Sequence, residues 1–302
     1  MKHFLTIDDL SVDDVHALLN NALYLKKTFK EHSKLPDYSK YAAANLFYEP
    51  STRTRISFEL AAKRLSINVV NLNILQSSET KGETIQDTIQ TIASMGVDLI
   101  ILRHHQNGFP AMIKNQLTYL TTHIINAGDG QNEHPSQAML DLMTIIEKKP
   151  NLHELKIAIV GDVRHSRVAN SLQRLFKLIY IKELVLIAPE PWHPEPGYYG
   201  NVTSSLEAGL ENADVIIVLR IQRERFLEHE TVDLEYYRQY YALTTENINM
   251  AKTNALIMHP GPINRGVEID SVVADSSQSE ILTQIQNGVY MRMAILEALL
   301  HS

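Results

Sequence analysis

The chain has 302 residues, 44% of them hydrophobic and 21% charged, with a formal net charge of −7. That length predicts about two domains, each able to bury a core without covalent staples. The absence of cysteine removes disulfides, a thiolate nucleophile and Cys-bound zinc. The acidic balance speaks against a broad nucleic-acid or anionic-membrane surface, and no apolar run approaches the ~20 residues that span a bilayer. The opening residues Met1 to Asp9 meet acids before any long apolar stretch, so they do not read as a signal peptide, and the expected compartment is the cytoplasm.

Ser11 with Asp14 three residues on reads as a helix start, and Val15, Leu18, Leu19, Ala22 and Leu25 mark its apolar face. Asn45 to Tyr48 closes a short apolar strand. Ser51-Thr52-Arg53-Thr54-Arg55 follows at once, with Ile56, Leu60 and Leu65 continuing at helical spacing. Asn68 to Ile74 alternates and is rich in β-branched residues, as strands are. After a polar, glycine-containing stretch, Ile85, Ile89, Ile92 and Met95 give an amphipathic helix. Val97 to Leu102 forms a buried-type strand ending at Arg103, and Ile124-Ile125 a shorter one ending in Gly128-Asp129-Gly130. His134-Pro135 opens the next helix, with proline suited to the first turn. The pattern then restarts with Lys156 to Val160, the turn Gly161-Asp162, and a helix through Val168, Leu172, Leu175 and Phe176. Strands follow at 184–187, 215–219 and 255–258. Ile281, Ile285, Val289, Met293 and Leu299 mark a long closing helix. Such alternation of strands and helices predicts parallel sheets covered on both faces. The expected fold is therefore α/β in two domains, each a parallel sheet flanked by helices.

Six segments carry chemistry. The first turn of a helix presents free N–H groups and a partial positive charge, so Ser51-Thr52-Arg53-Thr54, with hydroxyls and a guanidinium fork, suits a phosphate. The alternative is an ordinary N-cap with solvated arginines. Arg103 stands at a strand's carboxyl end, where open α/β sheets bind ligands. His104 and His105 should point to opposite faces of that strand and share no metal. His134 and Gln137 share a helical face and could hold a carbonyl and its NH2 group, or else cap the helix and meet solvent. Gly161-Asp162-Val163-Arg164-His165-Ser166-Arg167 lacks the three-glycine dinucleotide fingerprint. Arg167 near a helix start suits a small carboxylate, or is a plain surface arginine. Arg220 and Gln222 alternate past a strand and could hold a second carboxylate. His259-Pro260-Gly261-Pro262 is a stiff loop whose carbonyls could accept from an amine or amide. No ATP-binding P-loop, zinc-protease motif or nucleophile elbow occurs.

In this order, over essentially the whole chain, the six segments resemble the carbamoyltransferase family. Ser77-Ser78-Glu79-Thr80-Lys81-Gly82 and Arg220-Ile221-Gln222 resemble its aspartate-accepting branch. The Asp-x-x-x-Ser-Met-Gly and His-Cys-Leu-Pro patterns of the ornithine-accepting branch are absent. The resemblance implies transfer of a carbamoyl group from carbamoyl phosphate to the amine of L-aspartate, with no cofactor and no bound metal. It implies that Ser51, Thr52, Arg53, Thr54 and Arg103 hold the phosphate. Ser77 and Lys81 come from a neighbouring subunit of a homotrimer. Thr54, Arg103 and His134 polarise the carbonyl, and Gln137 orients the NH2 end. Arg167, Arg220 and Gln222 read the aspartate carboxylates, and Gly261 and Pro262 complete the substrate contacts. Glu49 and Arg225 pair across a closing domain interface. It further implies a carbamoyl-phosphate domain of residues 1–133 plus 287–302, an aspartate domain of residues 134–286, and a closing helix that packs back on the first domain. Regulatory or pathway partners are compatible with such a chain; nucleic acid and membrane are not expected.

Overall fold

The computed structural model of the chain describes residues 1–72, 82–116, 121–222 and 233–302. These form two compact units. One comprises Met1–Leu140 with Asn287–Ser302, the other Asp141–Gln286.

The first unit begins with helix α1 (Val12–Lys30), closed at its start by a capping box. The Asp14 N–H donates to Ser11 Oγ at 3.1 Å, and the Ser11 N–H donates to the Asp14 carboxylate at 2.9 Å. Strand β1 (Ala42–Phe47), α2 (Thr52–Arg64), β2 (Asn68–Asn71), α3 (Ile85–Ser94), β3 (Leu99–His104), α4 (Phe109–Gln116), β4 (His123–Asp129) and α5 (Pro135–Lys148) follow. The unit boundary falls inside α5, so residues 134–140 lie with the first unit. The sheet is parallel, in the order β2-β1-β3-β4. Every residue of β3 is buried, which explains its continuous apolar run. Its Ile100 and Leu102 form a core with Ala44, Leu46, Ile89, Phe109 and Ile113. Burying each large apolar side chain there contributes about 1.5–3 kcal/mol.

The second unit holds β5 (Lys156–Val160), α6 (Arg167–Leu178), β6 (Glu183–Ile187), β7 (Asn201–Thr203), α7 (Leu206–Leu210), β8 (Val215–Val218), α8 (Leu234–Tyr241), β9 (Leu256–Met258), α9 (Ser271–Ala274) and the start of α10 (Ile281–Leu300). Its sheet is also parallel, in the order β7-β6-β5-β8-β9. Strand β7 is too short, at three residues, to leave a periodic signal in the sequence. From Asn287 onward α10 belongs to the first unit. There Lys26 Nζ donates to Asn287 Oδ1 at 2.7 Å, and Arg292 donates to Ser57 Oγ at 2.7 Å.

Three local expectations need correction. Strand β3 begins at Leu99 rather than Val97 and runs one residue past Arg103, to His104, so Arg103 keeps its place at the strand's carboxyl end. Helix α2 buries Thr54, Ser57, Phe58, Ala61 and Ala62, while Ile56 and Leu60 are 47% and 43% exposed. The face that packs is set by Phe58 and the alanines, which allow close approach, and not by the two large aliphatics. Ile285, read as part of the packed face of α10, is 53% exposed.

Both sheets reverse their winding at the centre. In the first, the chain leaves β1 for β2 on one side and later places β3 on the other. In the second, it leaves β5 for β6 and later places β8 opposite. Open parallel sheets bind ligands in the crevice beyond the carboxyl ends of strands at such a switch point. Sequence cannot supply strand order, but here the order puts the chemical motifs at those two crevices. Among the described residues, no helix is long and apolar enough to cross a membrane.

Candidate active site

Beyond β1 the chain turns through Glu49 into α2. Ser51 occupies the N-cap position, with φ −159° and ψ 89°, yet its side chain makes no capping bond, and the first turn of α2 holds no acid. Among the described residues, neither a Ser51 side-chain cap nor a first-turn acid offsets the positive end of this helix. Thr52 and Arg53 are exposed beside them, whereas Thr54 is buried with its Oγ1 3.5 Å from His134 Nε2. The cap of the alternative reading is absent, while its solvated arginines are present, since Arg53 and Arg55 are both exposed.

Arg103, buried in β3 opposite Phe47 of β1, has its guanidinium fixed in direction. One NH2 donates to the Glu49 carboxylate at 2.6 Å, and the other donates to the Ala127 carbonyl at 3.0 Å. Next along, the His104 imidazole is pushed down to about 4, by burial first and by neighbouring His105 second, with Glu49 opposing. Its Nδ1 accepts from the Gln106 N–H at 3.0 Å, and its ring stacks on Phe109 at 3.7 Å. The expectation that His104 and His105 point apart fails, because the strand ends at His104 and the His105 ring folds back to stack at 4.2 Å. Among the described residues no group of three or more histidines, cysteines or acids is placed to hold a metal.

His134 stands at the cap of α5, its carbonyl accepting from the Gln137 and Ala138 N–H groups, and both His134 and Gln137 are buried. The alternative of a solvated Gln137 is thereby removed. The turn that delivers His134 is braced by residues that sequence reasoning missed. Asp129 accepts from Gly108 N–H (2.7 Å), Asn126 Nδ2 (2.9 Å), Asn132 Nδ2 (2.9 Å) and Glu133 N–H (3.0 Å). Glu133 in turn accepts from the Ile7 N–H at 3.0 Å and from the Thr6 hydroxyl. Gly130 is required here, since a Cβ would lie 2.0 Å from Asn107 Oδ1 and 2.8 Å from the His105 carbonyl. The run Gly128-Asp129-Gly130 was the one hint of this in the sequence.

At the second unit's switch point, Asp162 follows β5 and accepts from His165 Nδ1 at 2.8 Å and from the His165 N–H at 3.2 Å. Ser166 caps α6, accepting from the Ala169 N–H at 3.2 Å, and Arg167 is the buried first residue of that helix. Across the crevice, Ile221 is buried while Arg220 and Gln222 are half-exposed, the alternation expected of extended chain past β8. Gln222 Nε2 reaches the His165 carbonyl at 3.5 Å and ties this segment to the β5–α6 turn. Arg164 donates to Glu195 at 2.6 Å and to the Pro191 carbonyl at 3.3 Å, which pins the proline-rich 189–197 stretch. The loop after β9 carries Gly261 with φ +70°, a left-handed conformation that accounts for glycine at this position, joined to Pro262 by a cis peptide. Ser77, Lys81 and Arg225 lie outside the described residues.

Two doubly wound parallel units, each with cationic and amide groups at its switch-point crevice, define a two-domain α/β protein fitted to small anionic ligands. Residues 2–147 match the family profile described as aspartate/ornithine carbamoyltransferase, carbamoyl-P binding domain, and residues 153–299 match its Asp/Orn binding domain. The chain belongs to the aspartate/ornithine carbamoyltransferase family. It is 56% identical, over all 302 residues and the whole of the relative, to the aspartate carbamoyltransferase catalytic subunit of Legionella pneumophila strain Corby. It superposes with TM-score 0.87 and 29% identity on aspartate transcarbamoylase from Trypanosoma cruzi in complex with carbamoyl aspartate and phosphate, covering 98% of this chain and 94% of that one. It superposes equally, TM-score 0.87 at 27% identity, on ornithine carbamoyltransferase from Pyrococcus furiosus, covering 100% and 98% of the two chains.

Proposed function

We propose that this chain transfers the carbamoyl group of carbamoyl phosphate to the amine of L-aspartate, giving N-carbamoyl-L-aspartate and phosphate, an early step of pyrimidine synthesis in the cytoplasm. The observation that carries the reading is the open N-terminus of α2, with exposed Arg53 beside it and the Thr54–His134 pair behind it. The full-length identity to a relative named for aspartate supports the acceptor. The fold alone does not discriminate, since aspartate and ornithine enzymes superpose equally. Arg167 and Arg220 supply the local positive charge that a dicarboxylate needs and that ornithine's extra amine would not tolerate, and Gln222 adds neutral amide donors.

In this reading the first-turn N–H groups of α2, with Ser51, Thr52, Arg53 and Thr54, hold the phosphate, with Arg103 and a neighbouring subunit's Lys81 and Ser77. Thr54, Arg103 and His134 donate toward the carbonyl oxygen as charge builds on it. Gln137 orients the carbamoyl NH2, and the loop with Pro260, Gly261 and Pro262 offers it carbonyl acceptors. Arg167 and Arg220 hold aspartate's carboxylates, with Gln222 steadying the second. The neutral amine forms the new C–N bond, the C–O bond to phosphate breaks, and the departing phosphate takes the amine proton. No protein nucleophile takes part. His134 acts as a donor and not as the base, and Arg53 offsets charge on the leaving group.

The first unit, to which His134 and Gln137 belong, serves carbamoyl phosphate and the second serves aspartate, with Glu49 and Arg225 pairing in the closed state. The chain acts as a homotrimer with shared sites. Exposed Ile56 and Leu60, one turn apart on α2, and exposed Val70 (54%) on the edge strand β2 support this, as apolar side chains that a neighbouring chain would cover.

The test is product formation from carbamoyl phosphate with L-aspartate, with L-ornithine, or with no acceptor. Carbamoyl-aspartate alone is the expected result. Carbamoyl-ornithine would overturn the acceptor assignment, and no product from folded protein would overturn catalysis.

A further inference from the structure

We propose that His259 and Glu268 are a buried positioning pair that sets the conformation of the loop following β9, and through it the carbonyl groups offered to the substrate's N–H bonds. The proposal rests on the assignment of that loop to substrate contact.

His259 is 1% exposed and Glu268 is fully buried. The Gly261 N–H donates to His259 Nδ1 at 2.8 Å. An imidazole nitrogen that accepts carries no proton, so the ring hydrogen stands on Nε2. That nitrogen lies 3.1 Å from Glu268 Oε1 and donates to it. The same carboxylate oxygen accepts the Asn264 N–H at 2.6 Å. One imidazole and one carboxylate thus grip the loop at two points three residues apart. Pro260 and Pro262 have no N–H, so residues 260–264 contain three backbone donors, at Gly261, Ile263 and Asn264. Two of the three are held by this pair. The carbonyls of Pro260, Gly261 and Pro262 accept no backbone hydrogen bond among the described residues.

The root of the device is fixed in the same unit. The His259 N–H donates to Gln284 Oε1 at 2.8 Å, and Gln284 Nε2 donates to Asp141 Oδ1 at 2.8 Å. The phenol of buried Tyr237 is pushed up, by burial first and then by Glu268 and Asp162, so it stays neutral beside the carboxylate. A buried carboxylate and imidazole are an expensive way to fill space, since apolar residues of like volume fill it as well or better. What they add is direction, since His259 Nδ1 and Glu268 Oε1 each accept a backbone N–H of the loop and the His259 Nε2–H joins the two side chains. That is the arrangement expected of a layer that holds substrate-contacting groups to within a fraction of an ångström.

The experiment compares Glu268→Ala, Glu268→Gln and the pair His259→Ala and His259→Asn with the wild-type protein, by kcat and KM for carbamoyl phosphate and aspartate. Glu268→Gln leaves an amide oxygen that can still accept both donors, and His259→Asn leaves one that can still accept the Gly261 N–H. The expected result is a fall in kcat on the order of 10²-fold for Glu268→Ala, the scale of an ångström-level misplacement. Glu268→Gln recovers most of that loss, and His259→Asn turns over faster than His259→Ala. The double alanine variant is no slower than the worse single one, because the two side chains act as one unit. Wild-type kcat in Glu268→Ala, or equal loss in the alanine and glutamine variants, would overturn the proposal. Should Glu268→Ala not fold, the His259 pair decides in the same way. Failure of the underlying assignment shows differently, as a wild-type protein that makes no carbamoyl-aspartate, and that result would overturn both.

Discussion

Helices α1 and α2 both begin on a serine, and only one of those serines caps its helix. Ser11 accepts from Asp14, whose carboxylate answers it, while Ser51 makes no side-chain cap and α2 has no acid in its first turn. Where α1 has Asp14, α2 has Thr54, with Arg53 beside it. One end is satisfied by the protein's own side chains, while the other has no side-chain cap and no first-turn acid and, in the proposed reading, receives the phosphate. The lesson is that a serine before an apolar run does not distinguish a structural start from a binding site. The charge of the next three residues does.

That contrast can be broken from its most buried member outward. Arg103 joins fold and site, since its guanidinium is tied to Glu49 and the Ala127 carbonyl. Arg103→Met should cost about 3 kcal/mol of stability, the low end for a broken buried pair because Glu49 is partly exposed, and should abolish turnover as well. Denaturant unfolding and product assay read the two losses separately. Arg53 is exposed and should act on phosphate binding and, more strongly, on rate, without a cost in stability. Arg53→Ala is expected to lower kcat by about 10²–10³-fold with stability within about 0.5 kcal/mol of wild type. A weakened KM with unchanged kcat would remove its leaving-group role.

Acid sharpens the picture by a smaller effect. His104 and His3 are both pushed down to about 4, chiefly by burial, against an ordinary value of 6.5. As pH falls below 6.5, the unfolded chain takes up these protons first, so stability drops between about pH 6.5 and 4 and is flat from this cause above. A thermal-melt series over that window should show the slope, and His104→Gln should flatten it, apart from a pH-independent loss through the lost stacking on Phe109.

Much of the site could be read directly from residue order. Ser51 to Thr54, His134 with Gln137, and Arg220 with Gln222 each group polar side chains within a few residues, so local spacing marks them as candidates, and the family resemblance supplies their proposed roles. The fold class was equally legible, because buried parallel strands write continuous apolar runs. What stayed hidden depends on contacts between distant segments. Glu133 is held by Ile7, more than a hundred residues away, and nothing periodic announces it. The outward turn of Ile56 and Leu60 could not be seen either, because helical spacing gives two faces and only the packing of Phe58, Ala61 and Ala62 chooses between them. The pair His259 and Glu268 is close in sequence, yet its grip on Gly261 and Asn264 runs through backbone N–H groups, which sequence does not display.

The most direct measurement is thermal unfolding against rising inorganic phosphate, for the wild type, Ser11→Ala and Arg53→Ala. A ligand that binds only the folded state adds about 2.7 kcal/mol at a hundred times its Kd, so occupancy reads out as a rise in Tm. Ser11→Ala should start about 1 kcal/mol less stable, having lost a cap, and rise with phosphate in parallel with the wild type. Arg53→Ala should start level with the wild type and rise far less. If Arg53→Ala instead climbs with phosphate as the wild type does, the open end of α2 is not the anion site and the account fails at its centre.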